Sequence, residues 1–329
     1  MRSRWTGFHS VLGDDIQRFL DYKRGLGRRY DNEEKTLRVF DSYLVEQEVE
    51  QLSGVTPELI DLFLASRHRA RPRSYNHLLC TVRRLFDWMQ DQERVAGSPV
   101  RARSRRETPQ RVPFIFDLPT ARRLLEAARR LPDNPRAPKR GTTYYTIFAI
   151  LYGLGLRVGE VCRLLIGDVD LDRSLLVIRA TKFNKNRLVP FGPRMGVALQ
   201  KYLDSRGPGS PFASDAPVFS FTNRGEIHPC TVSHTFHHLI PQLGLQIPTG
   251  GSPPRLHDLR HSFAVGTLVR WYREGVDPGT GLLALATFLG HVDVASTATY
   301  LTMTDDLLRE ANRRFEAFAG PVLQEGERQ

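Results

Sequence analysis

Three cysteines in 329 residues, Cys80, Cys162 and Cys230, are odd in number and far apart. They make neither a disulfide framework nor a zinc-ligand spacing, and they read as reduced thiols of a cytoplasmic protein. No apolar run approaches the roughly 18 residues of a membrane span. The stretch "MRSRWTGFHSVLGDD" has no apolar core of signal-peptide length. Internal repeats and low-complexity segments are missing too. So are a paired-carboxylate cluster and a Cys/His metal set. Single carboxylates such as Asp258 and Asp293 do not make a two-metal site, so neither metal nor cofactor is expected. Acid is short relative to base: 36 Asp plus Glu stand against 47 Lys plus Arg, a net charge of +11. Such an excess calls for a polyanionic partner, and with no membrane signal that partner is nucleic acid.

What is present falls into two textures. Residues 11 to 92 read as four amphipathic helices. Val11, Leu12, Ile16, Phe19 and Leu20 recur at helical spacing, as do Leu37, Phe40, Tyr43 and Leu44. Thr56 and Pro57 make a helix start, and Tyr75, Leu78, Leu79, Val82, Leu85, Phe86 and Met89 form one apolar stripe. The spacing predicts a small all-helical domain over 9–97. Then "VAGSPVRARSRRETPQRVP" has almost nothing apolar and carries Arg101, Arg103, Arg105, Arg106 and Arg111. It reads as a linker over 98–112, either a solvated spacer or a tracker of phosphates.

From 113 to 320 the pattern is mixed. Thr120 is expected to cap a helix, and an apolar helix is broken by Gly153 and Gly155. "SLLVIRA" and "RLVPF" read as a β-hairpin, "VFSFTNRGEI" as a further strand, and helices follow to the end. The fold class expected is mainly α with a small β-sheet.

Chemistry-bearing residues crowd this second part. Arg157 stands in an apolar, glycine-broken stretch, "GLGLRVGEV", with Glu160 three residues on. The pair is either a structural ion pair or a carboxylate aiming a guanidinium fork at a phosphate. Lys182, Lys185 and Arg187 cluster on the hairpin, serving solubility or delivering a proton. His257 and Arg260 share a helix face in "RLHDLRHSF". His291 and Tyr300 close "LGHVDVASTATY", with Asp293 placed to cap the helix between. Singly, each has a bland alternative. Together, arginines, imidazoles, a lysine and a tyrosine in a basic protein match metal-free phosphoryl transfer to a nucleophilic hydroxyl.

These motifs, in this order, resemble the tyrosine recombinases, or phage integrase family, including the Xer-type recombinases. The resemblance spans roughly residues 9 to 315. It implies a helical core-binding domain and a mixed α/β catalytic domain clamped around double-stranded DNA. Tyr300 would form a 3′-phosphotyrosine, with Arg157 and Arg260 on the phosphate, Glu160 in support, Lys182 as acid, His257 aiding deprotonation and His291 bonding the phosphate. Phe183 stands where the family commonly has a small residue, leaving Lys185 as the alternative lysine. The segment "REGVDPGTGLLALATFLGH" is longer than the compact family version. No arm-binding segment is recognisable before residue 9, so an integrase bivalent like that of lambda is not expected. The expectation is a two-domain recombinase of a mobile element, working as a tetramer of itself or with related subunits. Its amphipathic C-terminal segment, with Leu307, Leu308, Ala311, Phe315 and Phe318 in one stripe, would pack on its own catalytic domain or, as the resemblance implies, dock into a neighbouring protomer. Relaxation of DNA in the manner of a type IB topoisomerase, or DNA binding without cutting, are the alternatives.

Overall fold

The structure, a computed structural model, describes residues 7–106, 112–179, 186–206, 213–221, 225–247, 251–276, 278–291, 293–298, 300, 309, 310, 312 and 313. The chain forms two compact units that part at residues 110 and 111.

The first unit is four helices: α1 (Gly13–Gly25), α2 (Asp31–Glu46), α3 (Pro57–Ser66) and α4 (Pro72–Asp91). Their apolar stripes meet in one core around Phe19, Phe40, Phe63 and Phe86, all essentially without solvent contact. The Phe40 and Phe63 rings lie 4.8 Å apart at centroid, inside the range in which aromatic pairs add to simple burial. Thr56 caps α3 through a bond from the Leu59 N–H. Helix α4 begins earlier than its apolar stripe, because Pro72 sits where a first-turn N–H is not needed.

The basic segment after α4 is tied to this unit as far as residue 106. Val100 and Ala102 pack on its core. The Asn76 side chain accepts from the Arg105 N–H and donates to the Arg105 carbonyl, both at 2.8 Å. The Arg105 guanidinium donates to the Arg69 carbonyl at 3.0 Å and lies 3.9 Å from the Tyr75 ring centroid. Arg101, Arg103 and Arg106 are exposed, and Arg111 lies outside the described residues.

The second unit is built on α5 (Leu118–Arg129), α6 (Arg140–Gly153), α7 (Val158–Cys162), α8 (Pro193–Ser205), α9 (Pro229–Leu239), α10 (Asp258–Arg273), α11 (Pro278–Leu289) and α12 (Ala295–Ala298). Helix α6 is apolar on most sides because α5, α8 and α10 all pack against it. The cap of α5 is Asp117, which accepts from the Thr120 N–H at 2.8 Å. The expected capping residue thus serves as donor within the first turn. A three-stranded antiparallel sheet follows: β1 (Val169–Asp170), β2 (Leu175–Ile178) and β3 (Arg187–Pro190). The hairpin is the one expected, with Ile178 paired to Arg187. "VFSFTNRGEI" adds no strand in its described residues. Its backbone makes isolated bonds instead, Val218 to Leu164 and Ile227 to Phe219, with no ladder. Lys182, Phe183, Lys185, Leu307, Leu308, Ala311, Phe315 and Phe318 lie outside the described residues. All three cysteines are free thiols. No helix among the described residues is long and apolar enough to cross a membrane.

The Asn76 clasp on the basic segment is testable. Two net hydrogen bonds of about 1 kcal/mol each hold it closed. Asn76→Ala should therefore speed tryptic cleavage between residues 101 and 106 by roughly tenfold or more, while thermal unfolding of the four helices changes little. An unchanged cleavage rate would show that these bonds do not hold the segment.

Candidate active site

The site is organised by how α11 ends. The last four carbonyls of a helix have no partner within it. Here the Ala286 carbonyl accepts from the His291 N–H at 2.9 Å and the Thr287 carbonyl from the Gly290 N–H at 3.0 Å. Gly290 sits at φ +68°, the left-handed turn that closes such a helix end. A side chain there is excluded twice, since a Cβ would also lie 2.8 Å from Arg187 Nη1. The two remaining carbonyls go to arginines. Phe288 accepts from Arg187 Nε at 2.9 Å, and Leu289 from Arg260 Nη2 at 2.7 Å. The Gly290 carbonyl takes Arg157 Nη2 at 3.2 Å. Three guanidiniums from three distant parts of the sequence thus converge on the negative end of one helix.

Each is held a second time. Arg260, 1% exposed, also donates to the Gly155 carbonyl at 2.7 Å. Gly155 sits at φ +60°, and a Cβ on it would meet Phe263 Cδ1 at 2.5 Å. Glu160 holds the other two. Its carboxylate accepts from the Arg157 N–H at 2.9 Å and from Arg157 Nη1 at 2.8 Å. It also takes both terminal nitrogens of Arg187 at 3.0 and 2.9 Å, a bidentate pair. Burial alone would raise the Glu160 carboxyl. The bonds and charge of Arg187, then the Arg157 N–H and charge, override it and hold the carboxyl at about 2. Burial, and next the Arg157 charge, push Arg260 down to about 10, so it remains a cation at neutral pH. Arg157 keeps about a third of its side chain open, enough to reach a ligand.

Around these cations stand three imidazoles and Tyr300. Tyr300 is 3% exposed, its ring packed with Ala264, Val265, Leu268, Leu285 and Leu289. Its hydroxyl lies 3.2 Å from His261 Nδ1. Burial raises its pKa above the usual 10, against the pull of Arg260 and Arg157. The His291 ring is stacked at 6.2 Å from Tyr300, and its Nδ1 is 2.7 Å from the hydroxyl of buried Thr297. Asp293 caps α12 through the Ala295 N–H at 2.9 Å, which sets the short helix before Tyr300. His257 sits at the exposed rim, edge-on to His261 with centroids 4.7 Å apart. Burial, then the neighbouring arginine charges, push His261 and His291 down to about 4 and keep both imidazoles neutral.

Arg157, Glu160, His257, Arg260, His291 and Tyr300 therefore share one site within the second unit. Lys182 lies outside the described residues. Two further members were passed over in the sequence. Arg187 was read as a basic hairpin residue, though its place at the foot of an apolar strand was a signal. His261 stands four residues beyond His257 and so on the same helix face. Among the described residues no three His, Cys, Asp or Glu side chains converge as metal ligands.

Comparison with known proteins agrees with this geometry. The profile described as "Phage integrase family" matches residues 120–306. The provisionally named integrase/recombinase y4rB of Sinorhizobium fredii is 35% identical over 93% of this chain and 98% of its own. Tyrosine recombinase XerC of Pelobacter propionicus is 28% identical over 84% of this chain and 85% of its own. The integrase of transposon Tn1549, solved in complex with transposon right-end DNA, shares the fold with a TM-score of 0.64. It is 16% identical, over 93% of this chain and 99% of its own. A lambda integrase dimer bound to a core site overlays with a TM-score of 0.61 at 18% identity, over 88% of this chain and 77% of its own. The chain belongs to the phage integrase family of tyrosine recombinases, enzymes that cleave and rejoin DNA at specific sites.

The Glu160 triad carries a pH signature. A carboxyl held at about 2 instead of 4.5 stabilises the fold above pH 4.5, and that contribution fades as pH falls towards 2. At roughly 1.4 kcal/mol per pH unit of displacement it amounts to about 3 kcal/mol. Glu160→Gln should lower the unfolding free energy by about that much at pH 7 in urea titrations. The gap from the parent should close between pH 4.5 and 2. A gap that stays constant with pH would rule out this ion triad.

Proposed function

We propose that Tyr300 attacks the scissile phosphate of duplex DNA and carries the cut strand as a 3′-phosphotyrosine, in a site made by its own chain. The observation behind this reading is a buried tyrosine hydroxyl set beside two arginines, Arg260 and Arg157, whose charges act on it. The pentavalent phosphorus gains negative charge as the bond forms, and guanidiniums already fixed in place stabilise it with no reorganisation. Glu160 positions Arg157. His291, its ring fixed by Thr297, bonds the phosphate oxygens, and His257 at the rim aids the removal of the Tyr300 proton. Lys182, from the hairpin, protonates the leaving 5′-oxygen. The covalent bond conserves the backbone energy, so neither nucleotide nor metal is needed. Rejoining to a 5′-hydroxyl of a second duplex gives strand exchange. That step calls for two DNA sites and a tetramer, of this chain or with related recombinase subunits.

The helical first unit, over 9–97, serves as the core-binding domain. Exposed Arg101, Arg103 and Arg106 of the basic segment, with Arg111, meet phosphates without reading sequence. The biological task in this reading is movement of a mobile element, by integration, excision or transposition, in the cytoplasm. Likeness to the Sinorhizobium integrase/recombinase along nearly its whole length supports it.

A nicked DNA substrate whose cleaved end diffuses away tests the nucleophile. In excess EDTA the parent protein should accumulate a protein–DNA adduct that survives denaturing electrophoresis. Tyr300→Phe should bind the same DNA with unchanged affinity and form none. An adduct in the Phe variant would assign the attack to another residue.

A further inference from the structure

We propose that His261 is the base that takes the proton from Tyr300 during cleavage, and returns it during rejoining. This inference rests on Tyr300 as the nucleophile.

Tyr300 as a whole is 3% exposed, so its proton passes most readily to a neighbouring group of the protein. The charged neighbours, Arg260 and Arg157, are cations and cannot accept it. Three imidazoles remain. His291 is stacked against the Tyr300 ring and its Nδ1 is engaged with Thr297. His257 stands one ring away, edge-on to His261. Of the three, His261 is the one within hydrogen-bond reach of the hydroxyl oxygen, 3.2 Å from its Nδ1, with the rings tilted at 59°. That is the upper edge of hydrogen-bond length, the slack expected of a general base before substrate tightens the site.

Helix geometry explains the placement. His257 and His261 are four residues apart at the start of α10, and so project from one face. Arg260 between them turns inward to the carbonyls of Gly155 and Leu289. One helical turn thus supplies a phosphate clamp, a rim imidazole and an imidazole on the nucleophile.

The electrostatics give the base a condition for acting. His261 faces Arg255 and Arg260 as charges, His257 along its own helix, and His291 and Tyr300 from the segment after α11. Burial and these cations keep it neutral, and in the tautomer with its proton on Nε2 the ring offers Nδ1 to the Tyr300 hydroxyl as an acceptor. They also make it a weak base while the site is empty. A phosphodiester entering between Arg157 and Arg260 cancels part of that field, and the imidazole gains basicity when substrate arrives. The hydroxyl is thereby kept protonated until there is a phosphate to attack.

The step balances. The Tyr300 Oη–H proton moves to His261 Nδ1, Oη bonds to phosphorus, and the bond from phosphorus to the 5′-oxygen breaks. That oxygen takes a proton from the acid, Lys182 in the reading above. In rejoining, the 5′-hydroxyl gives its proton to the lysine, the P–Oη bond breaks, and Tyr300 recovers its proton from His261.

The test is the single-turnover rate of adduct formation on the nicked substrate from pH 7 to 9.5. Two variants are compared with the parent, His261→Asn and His261→Phe. Asn offers an oxygen near the place of Nδ1 but cannot hold a proton. Both should bind DNA within about threefold of the parent and cleave at least 100-fold more slowly at pH 7, the scale of general-base catalysis. Their deficit should shrink by close to tenfold per pH unit, as hydroxide replaces the missing base. A deficit equal at every pH would make His261 a packing residue and overturn the proposal. So would parent-like cleavage by the Asn variant, or loss of DNA binding in both. Tyr300→Phe runs in the same assay: an adduct there means the nucleophile, not the base, was misassigned.

Discussion

Two carbonyl groups that a helix cannot satisfy by itself govern this catalytic unit. At the end of α11 the turn at Gly290 consumes the carbonyls of Ala286 and Thr287 and leaves those of Phe288 and Leu289. Buried and unpaired, each would cost about 1–3 kcal/mol. Arg187 and Arg260 fill them. The arrangement works in both directions, since the carbonyls need donors and the guanidiniums need acceptors in a place shut off from water. Glycine at 290 and 155 is required by the same close approach, because a methyl group at either would press on the residues that make it.

From that junction the chemistry follows by charge. Two of the three guanidiniums pair with one carboxylate, and the imidazoles around them are kept neutral. The site therefore carries net positive charge, which a phosphodiester relieves and its pentavalent state relieves further. Arg187 pairs with both oxygens of Glu160 and is largely buried, while Arg157, bonded to Glu160 and to the Gly290 carbonyl, keeps about a third of its side chain open. The same positive field keeps the tyrosine ready without releasing it, by weakening the neighbouring base until an anion enters.

How much of this could be read in the sequence depends on how local each interaction is. The pairing of Arg157 with Glu160 is a three-residue contact and was legible from spacing. The shared face expected for His257 and Arg260 is not what forms, since Arg260 turns inward to backbone carbonyls while His257 stays at the rim, and the resemblance placed His291 and Tyr300. The four helices of the first unit were legible because each has one apolar face and one core. Arg187 was harder to read, since its partners Glu160 and Phe288 are 27 and 101 residues away and its one local signal is a place at the foot of an apolar strand. His261 shares a helix face with His257 by its four-residue spacing, but its contact with Tyr300 spans 39 residues and leaves no mark in the local sequence. Asp117 displaced Thr120 as a cap because the helix starts at Leu118, before its periodic stretch. The docking of Arg105 against Asn76 and Tyr75 was likewise hidden, as composition alone makes the segment look solvated throughout.

The central claim is that the arginines are fixed before DNA arrives. The Nε–H of Arg187, which donates to the Phe288 carbonyl, reports on it directly. Its exchange with solvent is measurable by nitrogen-15 NMR, assigned with an Arg187→Lys variant. The account predicts a resonance strongly protected relative to exposed arginines in the DNA-free protein, and little changed when cognate DNA is added. Exchange as fast as that of an exposed arginine, with protection gained only on binding DNA, would contradict it.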